Sequence, residues 1–398
     1  MLYPDVGLSR GTDYFLLHQE ISADEREHWN RARSFVDDEV LPVIADYWDR
    51  AEFPFPLVEK MAKLDIIGGG IEGYGCPAMS PLAAGLVHME INRGDGSLGA
   101  FLVIQSGLVM KAIHLLGSDE QRQRWLPRLA RLDAFGAFAL TEPRHGSDSV
   151  ALEATARRDR DEYVISGHKR WIGNASFADV TVVWARDSDD GQVRGFLVEK
   201  GTPGFRTEVI HKKASVRAVW QTDVTLAQAR IPAGNRLPGA STFKDAGRVL
   251  AASRNLVAWM ALGHALAAYE CALTYAAERL QFGRPLVGFQ LIQDKLVSML
   301  AGVTAMQLYC FRLARLARLA QDGRLTDTIA ALAKRNNART ARQVIADARD
   351  ILGGNGILLD YHVMRHMADI EALYTFEGTD NIQTLIVGRD ITGVSAFR

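Results

Sequence analysis

The sequence predicts a mainly α-helical protein with a β domain set in its middle, in the order helical, β, helical. Three observations carry this. All 12 prolines lie at or before Pro285, so 286–398 holds none and is free to form long helices. From Ile292 onward, Leu296, Met299, Val303, Met306, Cys310, Leu313 and Leu316 recur at steps of three or four, the buried stripe of a bundled helix. Between about 134 and 243, the β-prone runs EYVIS, VTVVWA and GFLVEK alternate with the turn-forming RDRDE, DSDDGQ and KGTPG.

In chain order, EREHWNRARSFVDDEVLPVIADYW (25–48) and PLVEKMAKLDI (56–66) have helical spacing and make the first third helical. The short central strands predict an antiparallel β unit. After it come helices at about 249–279, from 292, and at 325–352. The expected domains are 1–133 (N-terminal helical), 134–245 (middle β) and 246–398 (C-terminal helical bundle). There is no repeat and no low-complexity tract.

Composition narrows the function. Lys plus Arg is 46 against 47 Asp plus Glu, a formal charge of −1, without the basic excess of a nucleic-acid binder. Three cysteines, Cys76, Cys271 and Cys310, form no C-x-x-C pair, which disfavours a disulfide framework and a zinc–cysteine site. The N-terminal MLYPDVGLSRGTDYF does not read as a signal peptide, and no stretch approaches the roughly 18 uninterrupted apolar residues of a membrane span. The terminal VSAFR is not a peroxisomal tripeptide. The expectation is a cytoplasmic protein.

Several motifs have plain readings. Gly68, Gly70 and Gly73 satisfy G-x-G-x-x-G, but a helical pattern precedes them and YGCP follows, so they read as a loop. His362 and His366 share a helix face but lack the glutamate of a zinc-protease motif, and read as structural. Arg312, Arg315 and Arg318 read as a solvated face. No metal site is expected. Four segments are richer: FALTEPRHGSD (138–148), HKRWIGNASFAD (168–179), ERLQFGRPLVGFQ (278–290), and ILGGNGI (351–357) followed by FEGTDNI (376–382). Taken alone they read as turns and caps, and Glu377 reads as a carboxylate suited to a helix N-terminus.

In this order and spacing, over almost the whole chain, these segments resemble the acyl-CoA dehydrogenase family. EGYGCP, DYWDRAEFPF and KRWIGN are similar to the plant short-chain acyl-CoA oxidases. IQSGLVM, GSDEQRQRWLP and AKRNNARTARQVIADARDILGGNGI are similar to glutaryl-CoA dehydrogenases or shared. The resemblance implies FAD between the β domain and the C-terminal bundle, acyl-CoA beside it, a homotetramer, and electron-transfer flavoprotein as electron acceptor. It implies α,β-dehydrogenation of a short or branched acyl-CoA to the trans-2-enoyl-CoA, with Glu377 as the base. An α-proton is too weakly acidic for a carboxylate unless the developing enolate is stabilised, so the thioester oxygen needs donors, here the Glu377 N–H and a ribityl hydroxyl.

By the same resemblance, Phe138, Leu140, Thr141 and Ser147 line the flavin and pyrophosphate, and Trp171, Ile172 and Gly173 cover one flavin edge. Arg279 suits the pyrophosphate, Phe282 the adenine and Gln290 a polar cofactor group. Asp350, Gly353 and Gly354 approach FAD from a neighbouring subunit, and Thr379 and Asn381 hydrogen-bond it. Gly99, Ser147, Arg254 and Gly378 fall where the family meets substrate, although Arg254 also reads as a charge on the bundle surface. There are two departures. Glutaryl-CoA dehydrogenases carry arginine where this chain has Gly99, with Val103 and Asn92 replacing a serine and a glutamate of the same network, so glutaryl-CoA is disfavoured. Gly173 stands where many dehydrogenases place Thr or Ser near flavin N5, which keeps an oxidase as the alternative.

Overall fold

A computed structural model describes residues 11–319 and 324–397. Ser22 and Glu25 form a capping box that starts α1 (Ala23–Phe35). The apolar run 25–48 is not one helix. A π-turn at Val36–Val40 follows α1, and Pro42, which cannot donate to a helical ladder, sits in the break before α2 (Ile44–Arg50). After α3 (Phe55–Met61), the Gly68–Gly73 segment is a turn in which Gly68, Gly70 and Gly73 all have φ of 77–80°. Ser80 caps α4 (Pro81–Gly94), and Asp95 caps α5 (Gly96–Leu102) by accepting from Ser97 N and Leu98 N. From α5 the helix passes through a π segment, Val103–Met110, into α6 (Lys111–Leu116), and α7 (Asp119–Ala130) follows.

The middle of the chain forms a seven-stranded sheet: β1 (Gly136–Ala139), β2 (Thr155–Asp159), β3 (Glu162–Gly173), β4 (Val180–Asp187), β5 (Val193–Glu199), β6 (Phe205–Val209) and β7 (Gln221–Pro232). Its order is β1-β4-β2-β3-β7-β6, with β5 paired to β4. The expected purely antiparallel sheet is corrected to a mixed one. β4 runs parallel to both β1 and β2, while the β2–β3, β3–β7, β4–β5 and β6–β7 pairs are antiparallel. Strand composition does not report direction, and the long stretches of chain that separate β1 and β2 from β4 permit parallel pairing. Register shifts at Ile165/Gly167 and Lys169/Ile172 bend β3, and the second carries Trp171 at φ 64°.

The C-terminal part is α8 (Phe243–Glu278), a small hairpin of β8 (Leu280–Gln281) and β9 (Arg284–Pro285), α9 (Gln290–Leu319), α10 (Arg324–Leu352), α11 (Val363–Thr375) and α12 (Asp380–Thr392). A Thr242–Asp245 capping box starts α8 at Phe243, so the expected 245/246 division falls in its first turn. The α4 helix lies close against α8. A Cβ at Gly85 would lie 2.3 Å from Trp259 Cε2, and one at Gly263 would lie 2.1 Å from the Met89 carbonyl. Two fully buried groups tie α11 to the rest: Arg365 pairs with Asp95 at 2.6 Å, and Asp369 accepts from Trp48 Nε1 and Val216 N.

Three helical runs, Gly96–Leu116, Phe243–Glu278 and Gln290–Arg318, are long and apolar enough to cross a membrane by length and composition. Here their apolar windows are 78%, 72% and 50% buried within the protein, so their hydrophobicity goes into packing.

Candidate active site

The turn between α11 and α12 holds Glu377 in an unusual conformation. Glu377 has φ 56° and Gly378 φ 87°, two consecutive left-handed residues. Glycine accepts this freely, glutamate only when its surroundings enforce it. The enforcement comes from neighbouring side chains that grip the turn's carbonyls. Lys334 of α10 donates to Phe376 O and Gly378 O, and Gln383 Nε2 donates to Glu377 O and Gly378 O, both at 2.9 Å. A Cβ at position 378 would lie 2.5 Å from Gln383 Nε2, so glycine is required there.

The Glu377 carboxylate is half-buried and accepts from Ser253 Oγ of α8 at 2.8 Å. Burial pushes its pKa above the ordinary value, against the Ser253 hydrogen bond and the Arg254 and Lys334 charges, which favour the ionised form. Burial pushes the Lys334 ammonium down to about 7, with Glu377 opposing that shift. The site is therefore a carboxylate of raised basicity on a rigid turn. Among the described residues the Glu377 backbone N–H has no partner, so it is available to an incoming oxygen.

Arg254 is not a bundle-surface charge. It is buried and ion-paired with Asp327 of α10, one residue from Ser253. Thr379 serves as the N-cap of α12, its Oγ1 accepting from Ile382 N, which leaves its O–H to donate elsewhere. Asn381 is exposed beside it. Ser253, Lys334 and Gln383 carry no signal in the sequence alone, because their partners are distant along the chain or lie on another element.

The β domain gathers a second group. Phe138, Leu140 and Ile172 have buried side chains, so from these three the surface presents backbone. Arg170 N donates to Thr141 O at 2.9 Å, bringing the 138–148 and 168–179 segments together. Trp171 is 52% exposed at their junction, and Ser147 is exposed in the adjoining loop. A Cβ at Gly173 would lie 2.3 Å from Ile104 Cδ1, so an apolar side chain fills the place of a hydroxyl. Nearby, Glu142, His145 and Glu153 have the spacing of metal ligands, but Glu142 is engaged by Lys169 Nζ and by the backbone N–H groups of Glu153 and Ala154.

Gly99 is buried, and the space its side chain would take is filled by Asn92, whose amide atoms lie 2.1–2.3 Å from an ideal Cβ. On an adjoining face of α8, Ala252, Asn255 and Leu256 line a cavity of ≈ 430 Å³ with Ala84, His88 and Lys111. Gly107 forms part of the wall. A Cβ there would lie 3.3 Å from Leu256 Cδ1 and 3.7 Å from Ser253 Cβ, so the cavity wall packs against the serine that hydrogen-bonds Glu377.

The remaining residues lie far away. Arg279, Phe282 and Gln290 are exposed on the α8–α9 hairpin, Phe282 at 93%. Counting along α8 from Ser253, Arg279 lies about 39 Å further on, at roughly 1.5 Å per residue. Asp350, paired with Lys295, and Gly353 and Gly354 lie exposed near the far end of α10, about 27 Å past Lys334 on the same rise. Within one chain they do not join Glu377.

Comparison with known proteins agrees with this arrangement. Three family models match: the acyl-CoA dehydrogenase N-terminal domain at 22–133, the middle domain at 137–229 and the C-terminal domain at 243–392. The mitochondrial short-chain specific acyl-CoA dehydrogenase of Bos taurus is 34% identical over 93% of this chain and 91% of its own length. The glutaryl-CoA dehydrogenase structure from Mycobacterium smegmatis is 40% identical with TM-score 0.93, covering 98% of this chain and 100% of that one. A second glutaryl-CoA dehydrogenase structure from that organism, in complex with FADH2, is 36% identical with TM-score 0.92, covering 96% and 97%. With helical, β and helical domains in this order and a carboxylate on a rigid turn facing α8, the chain belongs to the acyl-CoA dehydrogenase family, oxidoreductases acting on CH–CH groups.

Proposed function

We propose that this chain uses FAD to dehydrogenate a short or branched, uncharged acyl-CoA to its trans-2-enoyl thioester. The observation that carries the reading is the Glu377 carboxylate, held by a clamped left-handed turn and raised in basicity by burial. The residues present suit a flavin dinucleotide. Trp171 and Phe282 are large aromatics left exposed by the fold, Arg279 offers a fork donor, and Gly353 and Gly354 leave open space for close backbone approach. When bound, FAD supplies a two-electron acceptor for the β-hydrogen. Glu377 takes the α-proton, and its free N–H receives the thioester oxygen as enolate charge develops. The C–H electron pair at Cα becomes the new double bond. Because the Arg279 and Gly353 groups lie so far along α8 and α10 from the Glu377 turn, they serve a neighbouring copy in a homo-oligomer, a homotetramer on the family pattern. Anaerobic addition of butyryl-CoA to the holoenzyme bleaches the flavin, and Glu377→Gln slows this by about 10²–10⁴-fold. Bleaching by that variant at the wild-type rate rejects the assignment.

Gly99 and Asn92 separate this chain from glutaryl-CoA use. By the resemblance, position 99 is where a distal carboxylate would meet a fork donor, and here Gly99 offers none while Asn92 occupies the space a side chain would take. The expected kcat/KM for glutaryl-CoA is below that for butyryl-CoA, measured with the same electron acceptor. Electron-transfer flavoprotein is the proposed acceptor. Gly173 favours a second reading, an oxidase, because it has no hydroxyl and the space beside it holds the Ile104 methyl. Reoxidation of substrate-reduced enzyme by air and by the carrier protein distinguishes the two, rapid peroxide release marking the oxidase.

A further inference from the structure

The Ser253 hydroxyl stands between two acceptors. Its Oγ lies 2.8 Å from Glu377 Oε2 and 3.0 Å from the Leu250 carbonyl of its own helix. A hydroxyl carries one hydrogen, so it serves only one of them at a time. While Glu377 is ionised it can only accept, and the serine hydrogen points to it in a charge-assisted bond. Once Glu377 holds a proton, its own O–H donates to Ser253 Oγ, and the serine hydrogen turns to Leu250 O. Both states are fully bonded without any heavy atom moving.

We propose that Ser253 is a positioning residue of the dehydrogenation, a hydroxyl rotor that keeps Glu377 aimed in both its ionised and its protonated form. The inference rests on Glu377 being the base. Among the described residues Ser253 is the one hydrogen-bond partner of that carboxylate. The charged groups around it are committed elsewhere. Arg254 of α8 pairs with Asp327 of α10, Lys334 of α10 grips the Phe376 and Gly378 carbonyls, and Asp380 of α12 is held by Arg339. A serine that only bonded back to its own helix would need Leu250 and nothing more.

The charge-assisted bond to the anion is stronger than the neutral one that replaces it, so Ser253 lowers the basicity of Glu377 and keeps it ionised at lower pH. Removing the hydroxyl moves the acid limb of the rate profile upward. The test follows anaerobic flavin reduction against pH in the FAD-loaded protein, using whichever of butyryl-, isobutyryl- and glutaryl-CoA bleaches wild type fastest. In Ser253→Ala the limb rises by about one pH unit, roughly tenfold in rate on its acid side, while KM changes less than about twofold. Ser253→Thr restores the wild-type limb. Ser253→Cys, of similar volume but a weak donor, shifts it partway and serves if the alanine variant loses flavin. An unmoved limb in both Ser253→Ala and Ser253→Cys overturns the proposal, with Glu377→Gln still inactive. Wild-type bleaching by Glu377→Gln instead overturns the reading beneath it.

Discussion

As the proposed base, Glu377 acts only while ionised, and burial holds its carboxyl above the ordinary carboxylate range. The rate of α-proton removal therefore rises with pH along a limb displaced upward from that of a free glutamate. Lys334 acts in two ways: its charge opposes the displacement, and its hydrogen bonds fix the carbonyls on either side of Glu377. In Lys334→Met both effects vanish. The acid limb moves up, and kcat falls by about 10–100-fold as the base loses its aim. Flavin content stays near wild type, since Lys334 faces the turn rather than the exposed aromatics. Stopped-flow reduction across pH, beside the absorbance of bound flavin, checks this, and an unchanged profile rejects it. At this scale the sequence was legible unevenly. Glu377 stood out only through the family resemblance, because a lone acidic residue before a helix has an ordinary explanation in the helix dipole. Ser253, 124 residues away, could not be read at all, since that bond exists only after α8 and the α11–α12 turn have packed.

Elements were legible where one periodicity rules. The proline-free stretch and the three-to-four stripe located α9 and α10 closely, and the capping box at Thr242 accounts for the earlier start of α8. The π segments and parallel strand pairs were not legible, because neither changes the hydrophobic pattern enough to be seen. Helix packing also buries histidines on α4 and α8 and at the start of α11. In the folded chain burial lowers His88 and His264 to about 3 and His362 to about 4, from an ordinary 6.5. Below pH 6.5 the unfolded chain binds protons that the folded chain refuses. The stabilisation is complete above that pH and drains away as pH falls toward 4, by up to roughly 1.4 kcal/mol per pH unit for each histidine. Melting temperatures between pH 4 and 8 should fall steeply on the acid side, and His88→Gln should make that slope shallower. An identical slope in the variant would mean His88 titrates normally in the fold.

Across the whole molecule, the Arg279 and Phe282 group lies about 39 Å from Ser253 along a single helix, at roughly 1.5 Å per residue. The proposed site needs both the base beside Ser253 and the cofactor contacts of Arg279 and Phe282, which a single copy holds far apart. In the homo-oligomer proposed above, the two halves of each site come from different copies of the chain, joined by a symmetric assembly in which each copy gives to and receives from its neighbour. This predicts complementation between two defective proteins. Glu377→Gln keeps Arg279 but has no base, and Arg279→Ala with Phe282→Ala keeps the base but not the distal cofactor contacts. Each alone is inactive with butyryl-CoA, the second through loss of FAD. When the two are unfolded and refolded together in equal amounts with FAD, roughly a quarter of the sites combine an intact Glu377 with an intact Arg279 from the neighbour. Activity should return to about that fraction of wild type, whereas mixing the folded proteins without exchange returns none. If the co-refolded mixture stays as inactive as its parents, the distal residues do not complete a neighbour's site, and Phe282 and Arg279 are exposed for some other reason.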